Sequence, residues 1–263
     1  MGNVVPRKLI AVKDAVMRKI VLILISMLAF PVSGWMQEPT GLEILKRIDQ
    51  NTIADNRSVT YTMIIHGRSG DRTMTSKSWV AGTERSFSEY LAPARERGTK
   101  MLKLGNQLWI YSPQSDRIIR IAGHMLRQSM MGSDFSYEDM MDDRSLVATY
   151  SAEIVGSEPI GDRQCWVLKL TAKMKDVPYH ARKMWVDKER MLALQENRFA
   201  KSGKLLKTAE VHEVFQVNQR WYPKRMVFKD ILSKGKGTEL IIESIEFDVE
   251  IPKHIFSKAA LRK

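Results

Sequence analysis

Residues 58–80 read SVTYTMIIHGRSGDRTMTSKSWV. Val59, Tyr61, Met63 and Ile65 alternate with Ser58, Thr60, Thr62 and His66, and only the apolar Ile64 breaks the rule. Successive side chains of a strand point to opposite faces, so a period of two marks a strand with one buried face. Ser69-Gly70-Asp71-Arg72 reads as a hairpin turn, and Thr73–Val80 as the returning strand.

The same punctuation runs along the chain. Strands are expected at Arg85–Leu91, Thr99–Leu104, Gln107–Tyr111 and Arg117–Ala122, with Gly105-Asn106 and Ser112–Asp116 as turns. A second series follows at Ala152–Ser157, Gln164–Ala172, Arg182–Val186, Ala193–Ala200, Leu205–Val217, Trp221–Leu232 and Thr238–Val249. About 11–12 short strands without a parallel crossover pattern predict one antiparallel sheet, strongly curved into a half-barrel or closed. Upstream, Pro39-Thr40 starts a helix whose apolar positions are Leu42, Leu45, Ile48 and Ile53.

One stretch does not alternate. Residues 123–142 read GHMLRQSMMGSDFSYEDMMD and hold five methionines. Met125, Leu126, Ser129 and Met130 can share a helical face, Gly132 can end it, and Ser133 or Asp134 can cap a following helix. The segment is expected to be a helical insert between two strand groups, either a core plug or a lid facing a ligand. Methionine suits surfaces that accept varied apolar shapes. The acids Asp134, Glu138, Asp139, Asp142 and Asp143 are read as capping and solvating this insert.

The N-terminus reads as a targeting segment. Ile20–Phe30 is an uncharged run of 11 residues after Arg18-Lys19 and before Pro31-Val32-Ser33-Gly34. A membrane-spanning helix needs about 20 residues, so the pattern is that of a secretory signal peptide cut after Gly34. Either Met1 or Met17 is the start. An uncleaved anchor is the alternative. The mature domain is then residues 35–263, and its export places it in the periplasm.

The 263 residues carry a formal charge of +12, a mean hydropathy of −0.28 and one cysteine. Removing residues 1–34 leaves 37 basic and 29 acidic residues, a net +8. These values exclude a polytopic membrane protein and a disordered chain. A lone Cys165 excludes an intrachain disulfide or a cysteine-based metal centre and is expected inside a strand. GxSxG, HExxH and phosphate-loop patterns are missing, and the five histidines are scattered. No catalytic residue, metal or cofactor is expected. The basic residues are spread out, densest at Arg95, Arg97, Lys100 and Lys103.

The run from Tyr90 to Met141 carries a resemblance, most of all Gly132–Asp139, GSDFSYED. So do Arg182–Asp187 (RKMWVD), Lys201–Leu205 (KSGKL) and Tyr222-Pro223-Lys224. Together they resemble the outer membrane lipoprotein-sorting protein family, the LolA/LolB-like carriers. The resemblance implies an open, curved antiparallel sheet with helices over its concave face and a hydrophobic cavity for acyl chains. It also implies an inner-membrane RND-type exporter and an outer-membrane acceptor as partners. Export from the cytoplasm, with the basic residues spread out, argues against nucleic acid. A monomer is expected.

The expected function is a periplasmic carrier of lipoprotein or lipid acyl chains toward the outer membrane. The cavity and lid candidates are Trp79, Phe87, Trp109, Met125, Leu126, Met130, Met131, Phe135, Trp166 and Trp185. Arg95, Arg97 and Lys100 are candidates for a headgroup or partner contact. The alternatives are an exporter adaptor without cargo and a lipid hydrolase using His124, Ser133 and Asp134.

Overall fold

The computed structural model describes residues 38–263 except Ser69. The expected signal peptide therefore lies outside the described residues. Residues 39–263 form one unit.

Helix α1 (Gly41–Thr52) begins in a reciprocal cap. Glu43 N donates to Thr40 Oγ1 at 3.3 Å, and Thr40 N donates to the Glu43 carboxylate at 2.7 Å. Its buried face is Ile44, Leu45 and Ile48, whereas Leu42 is 45% exposed. The expected stripe was one residue out of phase at its start. Gly41 is required by packing: a Cβ there would meet Ala152 O at 2.6 Å.

Thirteen antiparallel strands follow. They are β1 (Asn56–Gly67), β2 (Gly70–Ala81), β3 (Arg85–Ala92), β4 (Lys100–Leu104), β5 (Gln107–Ser112) and β6 (Arg117–Ile121). The second series is β7 (Tyr150–Ile160), β8 (Arg163–Ala172), β9 (Ala181–Asp187), β10 (Ala193–Phe199), β11 (Leu205–Val217), β12 (Arg220–Asp230) and β13 (Thr238–Phe247). Every predicted segment is a strand, so the count of 11–12 was short. The first turn sits earlier than expected: Gly67 pairs with Gly70, and Asp71 and Arg72 already belong to β2.

The strand order is β6-β5-β4-β3-β2-β1-β13-β12-β11-β10-β9-β8-β7. The first strand pairs with the last, and the two edges are β6 and β7. The sheet is open, not a closed barrel. This order dictates the path of residues 122–149. They connect one edge to the other and must cross the sheet. They cover its inner face, where a twisted sheet of this many strands curls.

That insert consists of two short 3-10 turns, Gly123–Arg127 and Met130–Gly132, then helices α2 (Tyr137–Met141) and α3 (Leu146–Thr149). The cap of α2 is Ser136, through Asp139, and not Ser133 or Asp134 as the sequence suggested. The outer face is covered differently. Phe87, Leu102 and Trp109 are packed under Ala260 and Leu261 of a C-terminal 3-10 turn, Lys258–Arg262. Both faces are therefore apolar in several strands, which blurs the alternation there. Cys165 is fully buried in β8, and burial raises its thiol pKa.

Candidate functional site: an apolar cavity under a fastened insert

Between the inner face and the insert lies a cavity of about 270 Å³. Its floor comes from alternate residues of the central strands: Val59, Tyr61 and Met63 of β1, Val80 of β2, Met101 of β4, and Leu240 and Ile242 of β13. Strand parity selects them: in β1 and in β13 each is two residues from the next. Its roof is Met130, Phe135, Met140 and Met141 of the insert. Phe135 also packs against Phe228 of β12, with ring centroids 4.2 Å apart and planes tilted by 50°. One flank is polar: Ser78 Oγ donates to Ser88 Oγ at 2.7 Å, and Arg57, Lys103, Asp139 and Asp143 stand at the margin.

The acids of the insert fasten it. Asp139 accepts from Lys207 Nζ at 2.6 Å and from the Tyr179 hydroxyl, and faces Arg198 at 3.4 Å. Burial alone would raise its pKa, but the Lys207 and Arg198 charges outweigh it and hold the carboxyl at about 2. Burial pushes the Tyr179 hydroxyl well above its usual range, and the Asp139 charge pushes it further. Asp142 pairs with Arg144 at 2.9 Å and Arg182 at 3.4 Å. Asp143 pairs with Arg57 at 3.0 Å and Lys103 at 3.1 Å. Lys103 Nζ also donates to the carbonyls of Met141 at 2.7 Å and Thr83 at 2.8 Å.

Asp134 is buried as well. Its carboxylate accepts from Thr238 Oγ1 at 2.7 Å and Asp230 N at 2.9 Å, and its carbonyl accepts from Lys207 Nζ at 2.8 Å. Four of the five acids are thus bound to the sheet and do not solvate the insert. Asp142 and Asp143 lie past the end of α2 at Met141, so no helical periodicity marks these acids as a set.

The ten apolar candidates separate into three places. Met130 and Phe135 line the cavity, and Met125, Leu126 and Met131 pack around it in the same cluster. Trp166 is also on the inner face but packs beneath α1 with Ile44, Leu45 and Leu168. Trp79, Phe87, Trp109 and Trp185 lie on the outer face. The first two rings are 6.1 Å apart near Leu261, and the Trp185 indole donates to Glu158 at 2.6 Å. Among the cations, Arg95 and Arg97 are exposed in loop 93–99, while Lys100 is largely buried at the start of β4. The floor residues Met101, Leu240 and Ile242 were not singled out in the sequence, whereas Tyr61 and Met63 were read as the buried face of a strand but not as a cavity wall.

The suspected hydrolytic residues do not assemble around a reacting centre. Ser133 Oγ donates to Met130 O at 2.7 Å, and Asp134 is committed to Thr238 and Asp230, while His124 is exposed. Among the described residues no cluster of three or more His, Cys, Asp or Glu is placed to hold a metal ion. No helix among them is long and apolar enough to cross a membrane.

A family model described as an "uncharacterized protein"-like family matches residues 82–263. The chain belongs to that family. No curated protein matches it. Solved structures share its architecture. A DUF1329 family protein from Desulfovibrio piger has a TM-score of 0.77 at 24% identity, over 84% of this chain and 97% of the other. A protein described as an outer membrane lipoprotein-sorting domain, from Vibrio parahaemolyticus, has a TM-score of 0.73 at 24% identity, over 85% and 98%. A LolA superfamily protein from Nitrosomonas europaea has a TM-score of 0.71 at 23% identity, over 84% and 99%. The fold of this family member is that of the LolA superfamily, as the Tyr90–Met141 resemblance implied.

Proposed function

We propose that this family member is a periplasmic carrier that takes the acyl chains of a lipoprotein or lipid into the cavity for transfer toward the outer membrane. The observation that carries the reading is the cavity itself. It is apolar on floor and roof, covered by a crossing insert, and free of any assembled catalytic group among the described residues. The LolA-superfamily fold and the description of the Vibrio neighbour support it.

The volume adds a mechanical requirement. Small-molecule sites span about 300–1,000 Å³, and the cavity of about 270 Å³ falls below that range. Full burial of an acyl chain therefore calls for the insert to rise. Burial contributes about 0.8 kcal/mol per CH₂, so a 16-carbon chain grosses on the order of 10 kcal/mol. That exceeds what a few partly buried ion pairs hold, and lifting the insert separates Asp139 from Lys207 and Arg198. Methionines in the roof follow varied chain shapes with little strain.

The test is native mass spectrometry of the protein purified from membranes, with lipid extraction, beside uptake of a fluorescent fatty acyl probe. Bound lipid and saturable uptake are expected. Replacing Val80 by Trp, which fills the floor, is expected to abolish uptake while the circular dichroism spectrum stays that of the parent. Protein that is always empty and takes up no probe would overturn the reading.

A further inference from the structure

Four loops share one rim of the central strands. Strand order sets the tips of β1–β2 (at Arg68), β12–β13 (231–237) and β10–β11 (200–204) side by side, with the β3–β4 loop (93–99) beyond. Backbone bonds tie the first three together. His66 N donates to Gly237 O at 3.1 Å, Lys236 N to His66 O at 3.2 Å, and Ile231 N to Leu206 O at 2.9 Å.

Their charge is one-sided. Arg68, Lys201, Lys204, Lys234 and Lys236 are all exposed, and Arg95 and Arg97 extend the row; within these four loops the one acid is Glu96, and Asp71 and Asp116 stand beside them. The opposite rim of the same strands is acidic. Residues 53–55, 82–84, 188–192, 218–219 and 248–252 hold five acids against Lys188 and Arg190. The protein is thus polarised along its strands, a property that the net charge conceals.

At the middle of the basic rim two aliphatic side chains stand in water. Ile231 is 43% exposed, and Leu232 at 62% is the most exposed large apolar residue among the described residues. The turn that presents them is well braced. Leu232 N donates to the Asp230 carboxylate at 2.9 Å, Ser233 N to Asp230 O at 3.0 Å, and the Lys229 amine to the carbonyls of Ser233 and Gly235. Gly237 closes it at φ +114°, where an added Cβ would lie 2.9 Å from Phe228 O. The backbone is therefore fixed in a form that directs a pair of aliphatics outward.

We propose that this rim docks on the surface of an anionic lipid bilayer, with Ile231 and Leu232 entering the headgroup boundary and the surrounding lysines and arginines meeting lipid phosphates. A bilayer surface satisfies both halves of the pattern at once. Its negative potential attracts basic segments within a Debye length, and its boundary region accepts apolar side chains about 5–10 Å deep. An acidic protein face would answer the cations and leave the aliphatic pair unexplained. The inference goes beyond cargo carriage and stands without it. It also has a geometric consequence for the insert, because Asp134 is bonded to Asp230 and Thr238 at the base of this same hairpin. Docking would bring an anchor of the insert to the membrane.

The test places an environment-sensitive fluorophore on Ser233→Cys in the full chain. Buried Cys165 stays unlabelled, and a second protein labelled at Asp162→Cys, in the distant β7–β8 turn, is the control. Vesicles of phosphatidylcholine with about one-third phosphatidylglycerol are expected to raise the Ser233 signal several-fold. Pure phosphatidylcholine vesicles, or 1 M salt, are expected to leave it low. Lys234→Ala with Lys236→Ala is expected to weaken partitioning about thirty-fold, at about 1 kcal/mol per lysine. Ile231→Ser with Leu232→Ser is expected to remove the signal change. An unmoved Ser233 probe, or equal changes at both labelled positions, would overturn the proposal. Empty protein in the lipid-extraction test leaves this result unaffected, so the two readings fail separately.

Discussion

Replacing Asp139 by Asn removes one negative charge from the point where the insert is fastened, and hardly alters shape. The side chain is 3% exposed and lies against Lys207 and Arg198. Its pKa of about 2 compares with an ordinary carboxyl value of 3.8. One unit is worth about 1.4 kcal/mol, so the charged form contributes roughly 2–3 kcal/mol to folding at neutral pH. The folded-state pKa is the lower one. The contribution is therefore complete above the unfolded value of about 3.9, and it is lost as pH falls through that value toward 2. Asn at this position is the neutral form at every pH. Urea unfolding of both proteins, followed by tryptophan fluorescence, reads the difference directly. At pH 7 Asp139→Asn is expected to be less stable by roughly 2–3 kcal/mol, and near pH 2 by less than about 1 kcal/mol. Glu196 also faces Arg198 and Arg182 and is held low by them in both proteins; the Asp139 charge acts on it the other way, so the substitution lowers it further. Equal differences at pH 7 and pH 2, or none at pH 7, would refute the reasoning that charge, not packing, holds the insert.

Other consequences are more local. Gly41→Ala drives a Cβ to within 2.6 Å of Ala152 O, so a loss of about 1–3 kcal/mol is expected in thermal unfolding. Leu261→Ala opens a hole under Phe87, Leu102 and Trp109 and is expected to cost about 2–5 kcal/mol by urea titration, although the residue lies in the C-terminal turn. Cys165 is expected to react with a thiol reagent only in denaturant. Rapid reaction of the native protein would contradict its full burial.

How far the sequence carries the fold depends on which face a strand shows. In β1 and β2 one face meets the core and the other is polar, so residues 58–80 display the period openly. In β5 both Leu108 and Trp109 are buried, on opposite faces, and in β8 Val167 and Leu168 likewise. Neither a cavity face nor an outer face can be read from such pairs. That is why Trp79, Phe87, Trp109 and Trp185, chosen for size, lie away from the cavity, while Met63 and Ile242 line it. The strands themselves were legible because turn residues punctuate them. The role of the acids was not. Asp139, Asp142 and Asp143 look like solvated charges until Lys207, Arg198, Arg182, Arg57 and Lys103 are brought opposite them from strands distant in sequence. Long-range ion pairing leaves no periodic mark. The Tyr90–Met141 resemblance supplied what periodicity could not, namely that the insert covers a sheet face.

The pairing of β1 with β13 bears on how the chain assembles. Arg57 and Phe247 are register partners 190 positions apart. Closing such a loop from a random chain costs about 4–5 kcal/mol more than bringing together neighbouring residues, since the entropy grows as the logarithm of length. The remaining pairings are between consecutive strands, so β1–β6 and β7–β13 can each form as a meander of local hairpins. Once both exist, the flexible tether between them is only the connection 122–149. Closure then costs about 3 kcal/mol by the same relation. The segment that roofs the cavity is thereby also the hinge on which two half-sheets meet. Lengthening or stiffening it should change the folding rate more than the unfolding rate, through a step in which neither the cavity nor any ligand takes part.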